Sequence, residues 1–187
     1  DDDGAREMLA AARRVANTEE IKGHYEAADA YLKQGKYELA IEEWKKVLEL
    51  DGAQDAASRF IAVAGRKKLE AAYAEAQRLY EQGNYTDSRD QFDAILTQNP
   101  TDLDVKKTID RLNLLLPVVQ RADDAGPAGE IVRKAVSNFV AVNGNVRAAI
   151  VAVRYAEELE PDNARIQSIR DVIERENVSE VRSMDPP

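Results

Sequence analysis

Cysteine is absent from the 187-residue chain, which removes disulfides, thiolate nucleophiles and zinc–thiolate centres together. Histidine occurs once, at His24, so histidine-rich metal sites are excluded and a Ser-His-Asp triad has no support. Positive charge is short. Against 35 acidic side chains stand 26 basic ones, a net charge of −9. That balance excludes a nucleic-acid binder, which needs a basic footprint against phosphates, and docking on anionic lipid. Long apolar runs are missing too: a stretch such as Leu114 to Val119 is far too short to span a bilayer. Phosphate-cradling glycine loops are absent, both the P-loop and the dinucleotide fingerprint. Asp1-Asp2-Asp3 lacks the spaced oxygen ligands and turn glycine of a calcium loop. No cofactor, no metal and no catalytic residue is expected. His24 is read as a surface or packing residue, and paired carboxylates such as Glu42-Glu43 as solvated helix faces rather than acid/base machinery.

What the chain does hold is a repeated spacing. Gly35, Gly83 and Gly144 are each followed five positions on by a small residue: Ala40, Ser88 and Ala149. Four further on come Trp44, Phe92 and Val153, and twelve after the small residue a breaker, Gly52, Pro100 or Pro161. Seven before each glycine stands another small residue, Ala28, Ala76 or Ser137. The pattern predicts three antiparallel helix hairpins. A glycine tolerant of positive φ turns each one, paired small residues let the backbones approach, and the breaker ends the second helix. Trp44, Phe92 and Ala40 are expected to be buried. The second helices are placed near 36–50, 86–98 and 145–159, with no strand anywhere.

These units resemble tetratricopeptide repeats, whose signature has this glycine–alanine–aromatic–proline order. They are placed at about 21–54, 69–102 and 130–163. The third match is weaker, and the early tryptophan of the family pattern is replaced by His24, Ala72 and Arg133. The glycines lie 48 and 61 residues apart, more than one repeat length, so extra helical segments are expected between units. The apolar stripe from Ala57 to Leu79 predicts one long helix over about 54–82, soft at Gly65. Residues 5–33 are expected to form another, broken near Asn17-Thr18. Thr101 is expected to cap an inserted helix that ends or kinks at Pro117, and 122–129 to be a loop. A last amphipathic helix is placed at 162–177, with a frayed tail at 183–187. The division is thus a 1–20 extension, a repeat at 21–54, a long helix and repeat over 55–102, an insertion at 103–129, a repeat at 130–163 and a cap at 164–187. The fold class is all-α, a right-handed α-solenoid of such hairpins with extended inter-repeat helices.

The resemblance implies a non-catalytic protein-binding scaffold whose concave wall is built from the first helix of each pair. On that wall the candidate partner-binding residues are Tyr25, Asp29 and Leu32 in the first unit, Tyr73, Gln77 and Tyr80 in the second, and Lys134 and Asn138 in the third. Tyrosines in a groove suit partner binding, with an apolar body and a polar tip. Family members that hold acidic chaperone tails use a clamp of lysines, arginines and asparagines. Here Tyr25, Asp29, Tyr73 and Gln77 stand instead, so a neutral or basic protein or peptide is expected, not an acidic one. Irregular repeats between long helices are also similar to bacterial envelope, secretion and pilus-assembly proteins. The alternative is a self-assembling scaffold whose repeat faces make homo-oligomer contacts. The chain starts at Asp1, so a processed or missing N-terminus is expected, and the compartment stays open between cytoplasm and periplasm.

Overall fold

The computed structural model describes residues 2–119 and 127–185. Among the described residues the chain is all-α, with nine helices and no strand: α1 (Asp2–Lys33), α2 (Tyr37–Leu50), α3 (Asp55–Glu81), α4 (Tyr85–Gln98), α5 (Leu103–Leu115), α6 (Pro127–Val140), α7 (Val146–Leu159), α8 (Ala164–Arg175) and α9 (Val178–Met184). Two compact units divide the chain, one up to Ala71 and one from Ala72, and α3 runs through the division.

The N-terminal unit is built on the α1–α2 hairpin. Gly35 takes φ +72°, the left-handed region that favours glycine. The turn then closes as a Schellman motif: Lys36 N–H donates to the Tyr31 carbonyl at 3.0 Å and Gly35 N–H to that of Leu32 at 3.1 Å. Four- and three-residue spacing places Ala40, Trp44 and Val47 on one face of α2. They form a core with Ala28 of α1 and with Ala57 and Ala64 from the first half of α3. His24 Nδ1 donates to Glu43 Oε2 at 2.6 Å, tying α1 to α2. Lys46 and then His24 hold the Glu43 carboxyl below the usual carboxylate range. α1 is unbroken through Asn17-Thr18 and α3 through Gly65, where a break and a soft point were expected. Both helices carry these poorer formers at modest cost, about 1 kcal/mol for a glycine relative to alanine.

The C-terminal unit starts from the second half of α3, hairpinned to α4. Gly83 has φ +84°, and Asn84 N–H and Gly83 N–H repeat the same pair of turn bonds, to Leu79 and Tyr80. Ser88 stands where the first hairpin has Ala40. Its hydroxyl donates to the Ala76 carbonyl at 2.8 Å, so a small polar residue is satisfied inside the contact. α5 follows, capped by Asp102, whose side chain accepts from Val105 N–H; the expected cap, Thr101, lies one position too early. α5 ends at Leu115, ahead of Pro117. The loop expected at 122–129 falls outside the described residues up to 126. From Pro127 the chain is already the first turn of α6, a position that suits a residue without an N–H.

The third hairpin, α6–α7, departs from the expected register. Its turn runs from 141 to 145, two residues longer than the other two. Gly144 has no positive φ. It is needed for space instead, because a Cβ there would lie 2.0 Å from the Asn138 carbonyl oxygen. The longer turn slides α6 by two positions. The small buried residue facing Ala149 is therefore Ala135, not Ser137, which is only half-buried. α8 is capped by Asn163, which accepts from Arg165 and Ile166 N–H groups. A further short helix, α9, occupies ground expected to be partly frayed. It is held to α7 by Arg147–Glu180 and Arg154–Asp185 ion pairs, both 2.7 Å.

Candidate functional site

In the N-terminal unit the candidate residues are committed to their own helices. Tyr25 packs edge-on against Phe60, ring centroids 6.3 Å apart, and its hydroxyl is buried without a hydrogen-bond partner in the protein. Leu32 is half-buried against the same core. Asp29 is exposed and pairs with Lys33 at 2.6 Å. In α6, Lys134 is exposed and pairs with Glu130 at 2.9 Å, while Asn138 donates to the Lys134 carbonyl. The two-residue slide explains these places. The α6 positions that match Tyr73, Gln77 and Tyr80 are Val132, Val136 and Phe139, all buried.

Tyr73, Gln77 and Tyr80 do come together. With Phe92 of α4, Thr108 of α5 and the 141–143 turn they line a cavity of about 320 Å³ within the C-terminal unit. That is the lower end of the range for small-ligand sites and ample for one long side chain. Helical spacing puts Tyr73, Gln77 and Tyr80 on one face of α3. Tyr80 is mostly core, 3% exposed and stacked on Phe92 at 6.4 Å. Burial raises its phenol pKa. Tyr73 meets Phe92 edge-on at 6.3 Å. Its hydroxyl donates to Asp102 Oδ2, on the capping residue of α5. Burial, and then this bond to a carboxylate, push the Tyr73 pKa well up. The same bond, followed by the Val105 N–H, holds Asp102 below the ordinary carboxylate value. Tyr73 is therefore fixed in orientation, with its proton already given away. Gln77 is exposed at the rim, and its Nε2 donates to Glu81 at 2.9 Å.

Sequence reasoning did not place Thr108, Val142 or Asn143 at this site. One signal could have found Thr108. The 48-residue offset that pairs Trp44 with Phe92 also pairs Phe60 with Thr108, and the 61-residue offset pairs Thr108 with Ile169. Nothing comparable marks Val142 and Asn143, because the turn they belong to is the one that broke the pattern. Among the described residues no carboxylate, histidine or cation lines the cavity, which offers shape, rings and neutral hydrogen-bonding groups. Among the described residues no helix is long and apolar enough to cross a membrane.

Residues 21–53 match the family model of the tetratricopeptide repeat. That stretch is α2 with the part of α1 that packs against it, turned at Gly35. Neither the curated proteins nor the solved structures gave a match.

Proposed function

We propose that the chain is a non-catalytic scaffold binding an extended peptide or partner helix along the Tyr73–Gln77–Tyr80 face; the match of residues 21–53 to the tetratricopeptide repeat, a class that generally mediates protein–protein interaction, supports this reading. The observation that carries this reading is the cavity of about 320 Å³ under those residues. It opens beside exposed Val142, so an apolar lip adjoins a polar rim, the usual make-up of a contact patch. Tyr25 and Leu32 are packed against the core of their own unit and Asp29 is paired with Lys33, so among the described residues no cavity opens on that face. The net charge of −9 favours a neutral or basic partner. The test is capture of partners from the native source by the parent chain and by Gln77→Arg and Val142→Arg. Both side chains are exposed at the rim, so helicity should stay at the parent level while a captured partner is lost at least about tenfold. Undiminished capture by both variants would refute the reading.

Self-assembly has its own observation. Val151, Tyr155 and Leu159 recur every four residues on α7 and are 56%, 52% and 42% exposed. A sedimentation series over protein concentration separates the readings. A mass that rises with concentration, and no longer does so in Tyr155→Asp, places the contact between copies on α7.

A further inference from the structure

Position 108 differs in kind from its two counterparts. After the first hairpin the matching position holds Phe60, which stacks on Trp44 at 5.4 Å and meets Tyr25 at 6.3 Å. After the third it holds Ile169, fully buried. After the second it holds Thr108, and the space that a large side chain would occupy is the cavity lined by Tyr73, Tyr80 and Phe92. Thr108 is 1% exposed, and its Oγ1 is buried with no hydrogen-bond partner in the protein. The usual remedy for a helical threonine, a bond to the carbonyl four residues back, is not taken. A buried hydroxyl left unpaired is costly, and it fronts a cavity large enough for a guest.

Two of the polar groups around that hydroxyl offer acceptors, and Asn143 adds an amide that both donates and accepts. Tyr73 has spent its proton on Asp102, so its oxygen can only accept. Gln77 has one Nε2 N–H on Glu81 and keeps Oε1 as an acceptor. Among the described residues no cation lines the cavity; Arg111 is occupied nearby, with its guanidinium 5.3 Å from the Phe139 ring centre and an N–H on the Ala141 carbonyl. That neighbour shows the arrangement this environment accepts: a guanidinium over an aromatic ring with a donor on an oxygen. The chain is acidic throughout. An aliphatic guest would leave Thr108 unpaired. A carboxylate guest would bring its charge to a chain of net charge −9 and find no cation among the described lining residues. A guanidinium is planar, stacks on rings, and carries enough N–H donors for several separated acceptors, which an ammonium cannot match in shape.

We propose that this cavity receives one arginine side chain of the partner, its guanidinium lying among Tyr73, Tyr80 and Phe92 and donating to Thr108 Oγ1 and Gln77 Oε1. The proposal rests on the interaction reading above and narrows it to one anchor residue.

The probe is acetyl-arginine methylamide, titrated into the full chain and followed by backbone amide NMR. Shifts should centre on residues around 73–80, 108 and 141–143, with saturation in the millimolar range expected of a single side chain. The citrulline analogue keeps the shape and loses the charge, and it should bind about tenfold more weakly. Thr108→Phe, which copies Phe60, should abolish the shifts while far-UV circular dichroism is unchanged. Gln77→Leu, at an exposed position, should weaken binding several-fold, and it serves if Thr108→Phe misfolds. Shifts elsewhere, equal binding of citrulline, or binding that survives both variants would overturn the proposal. The broader reading fails separately. If Thr108→Phe captures the same partner as the parent, the arginine anchor falls and the scaffold stands. If the arginine probe binds but no partner is captured by the parent, the scaffold reading falls and the pocket stands.

Discussion

Tyr25 and Tyr73 stand 48 residues apart at matching places in the first two hairpins, yet only Tyr73 has a partner for its hydroxyl. The cause lies at the start of the following helix. In the C-terminal unit that place holds Asp102, whose carboxylate takes the Val105 N–H on one oxygen and Tyr73 on the other. In the N-terminal unit the matching residue is Gln54, which turns its Nε2 to Asp51 at 2.7 Å and leaves Tyr25 alone. The next difference follows the first. Tyr25 is covered by Phe60, whereas Tyr73 overlooks the space above Thr108. One scaffold carries a partly exposed aromatic ring, Phe60, at this position in one copy and a cavity with oriented polar groups in the other. The open copy is the one on which the proposed function rests.

The largest test of this contrast removes the central aromatic from each hairpin. Trp44 is 2% exposed and stacked on Phe60, so Trp44→Ala should cost about 3–5 kcal/mol in urea unfolding followed by circular dichroism. Phe92 already borders a cavity, so some of its packing is missing before the mutation. Phe92→Ala should sit at or below the low end of that range, about 3 kcal/mol. A larger loss at Phe92 than at Trp44 would mean the second hairpin is not the hollow one.

Tyr73→Phe comes next. It removes a bond to a carboxylate, worth about 1.5–3 kcal/mol in general, with the partial exposure of Asp102 holding it near the lower figure. The pH dependence has a fixed sign. Asp102 is held below its ordinary value of 3.8, so the unfolded chain binds this proton more readily than the folded one. The stabilisation is full above that value and is lost as pH falls through the folded one. Tyr73 is raised above 10.0, so its part is full below that pH and is lost as pH rises beyond it. The stability gap between parent and Tyr73→Phe should therefore be level between about pH 5 and 9 and close on either side. A gap that stays constant down to pH 2 would show that the ring, not the bond, carries the effect.

How far this could be read in the sequence depends on which residues tie one helix to the next. Gly35 and Gly83 fix two turns through their backbone conformation, so everything counted from them falls into place: Ala28 against Ala40, Ala76 against Ser88, then Trp44 and Phe92. Gly144 looks the same in sequence but serves by lacking a Cβ in a longer turn, and counting from it misplaced the α6 face by two residues. The run Val132, Ala135, Val136, Phe139, Val140 carries the true face at helical spacing, and it was legible without the glycine. The α5 cap went to Asp102 rather than Thr101 because the residue that reaches the Val105 N–H decides. The candidate site was half legible. Tyr73, Gln77 and Tyr80 follow from their shared face, but the burial of Tyr80 and the cavity beside it do not. The cavity depends on the 141–143 turn, which no local pattern announced.

Thr108→Val is a smaller test with the opposite sign. It keeps the shape and removes the unpaired hydroxyl, so the chain should gain about 1 kcal/mol while losing affinity for the arginine probe. Gain in one and loss in the other is the signature of a group kept for binding. If stability falls instead, Thr108 Oγ1 has a partner in solution and the polarity of the cavity has been misjudged.

The smallest expected effect is at Tyr25, and it divides the two hairpins most sharply because the same chemical change has opposite outcomes. Tyr25→Phe removes a buried hydroxyl that has no partner, beside a ring contact with Phe60 that a phenylalanine can keep. Nothing is lost but a desolvation penalty, so stability should rise by about 0.5–1 kcal/mol, against the fall expected for Tyr73→Phe. Trp44 is the single tryptophan of the chain and lies in the same core cluster, so its fluorescence follows this unit directly in a urea titration. No carboxylate takes the Tyr25 hydroxyl as Asp102 takes that of Tyr73. A loss of 1 kcal/mol or more at Tyr25 would make the two tyrosines equivalent after all, and the division into a closed copy and an open one would lose its foundation.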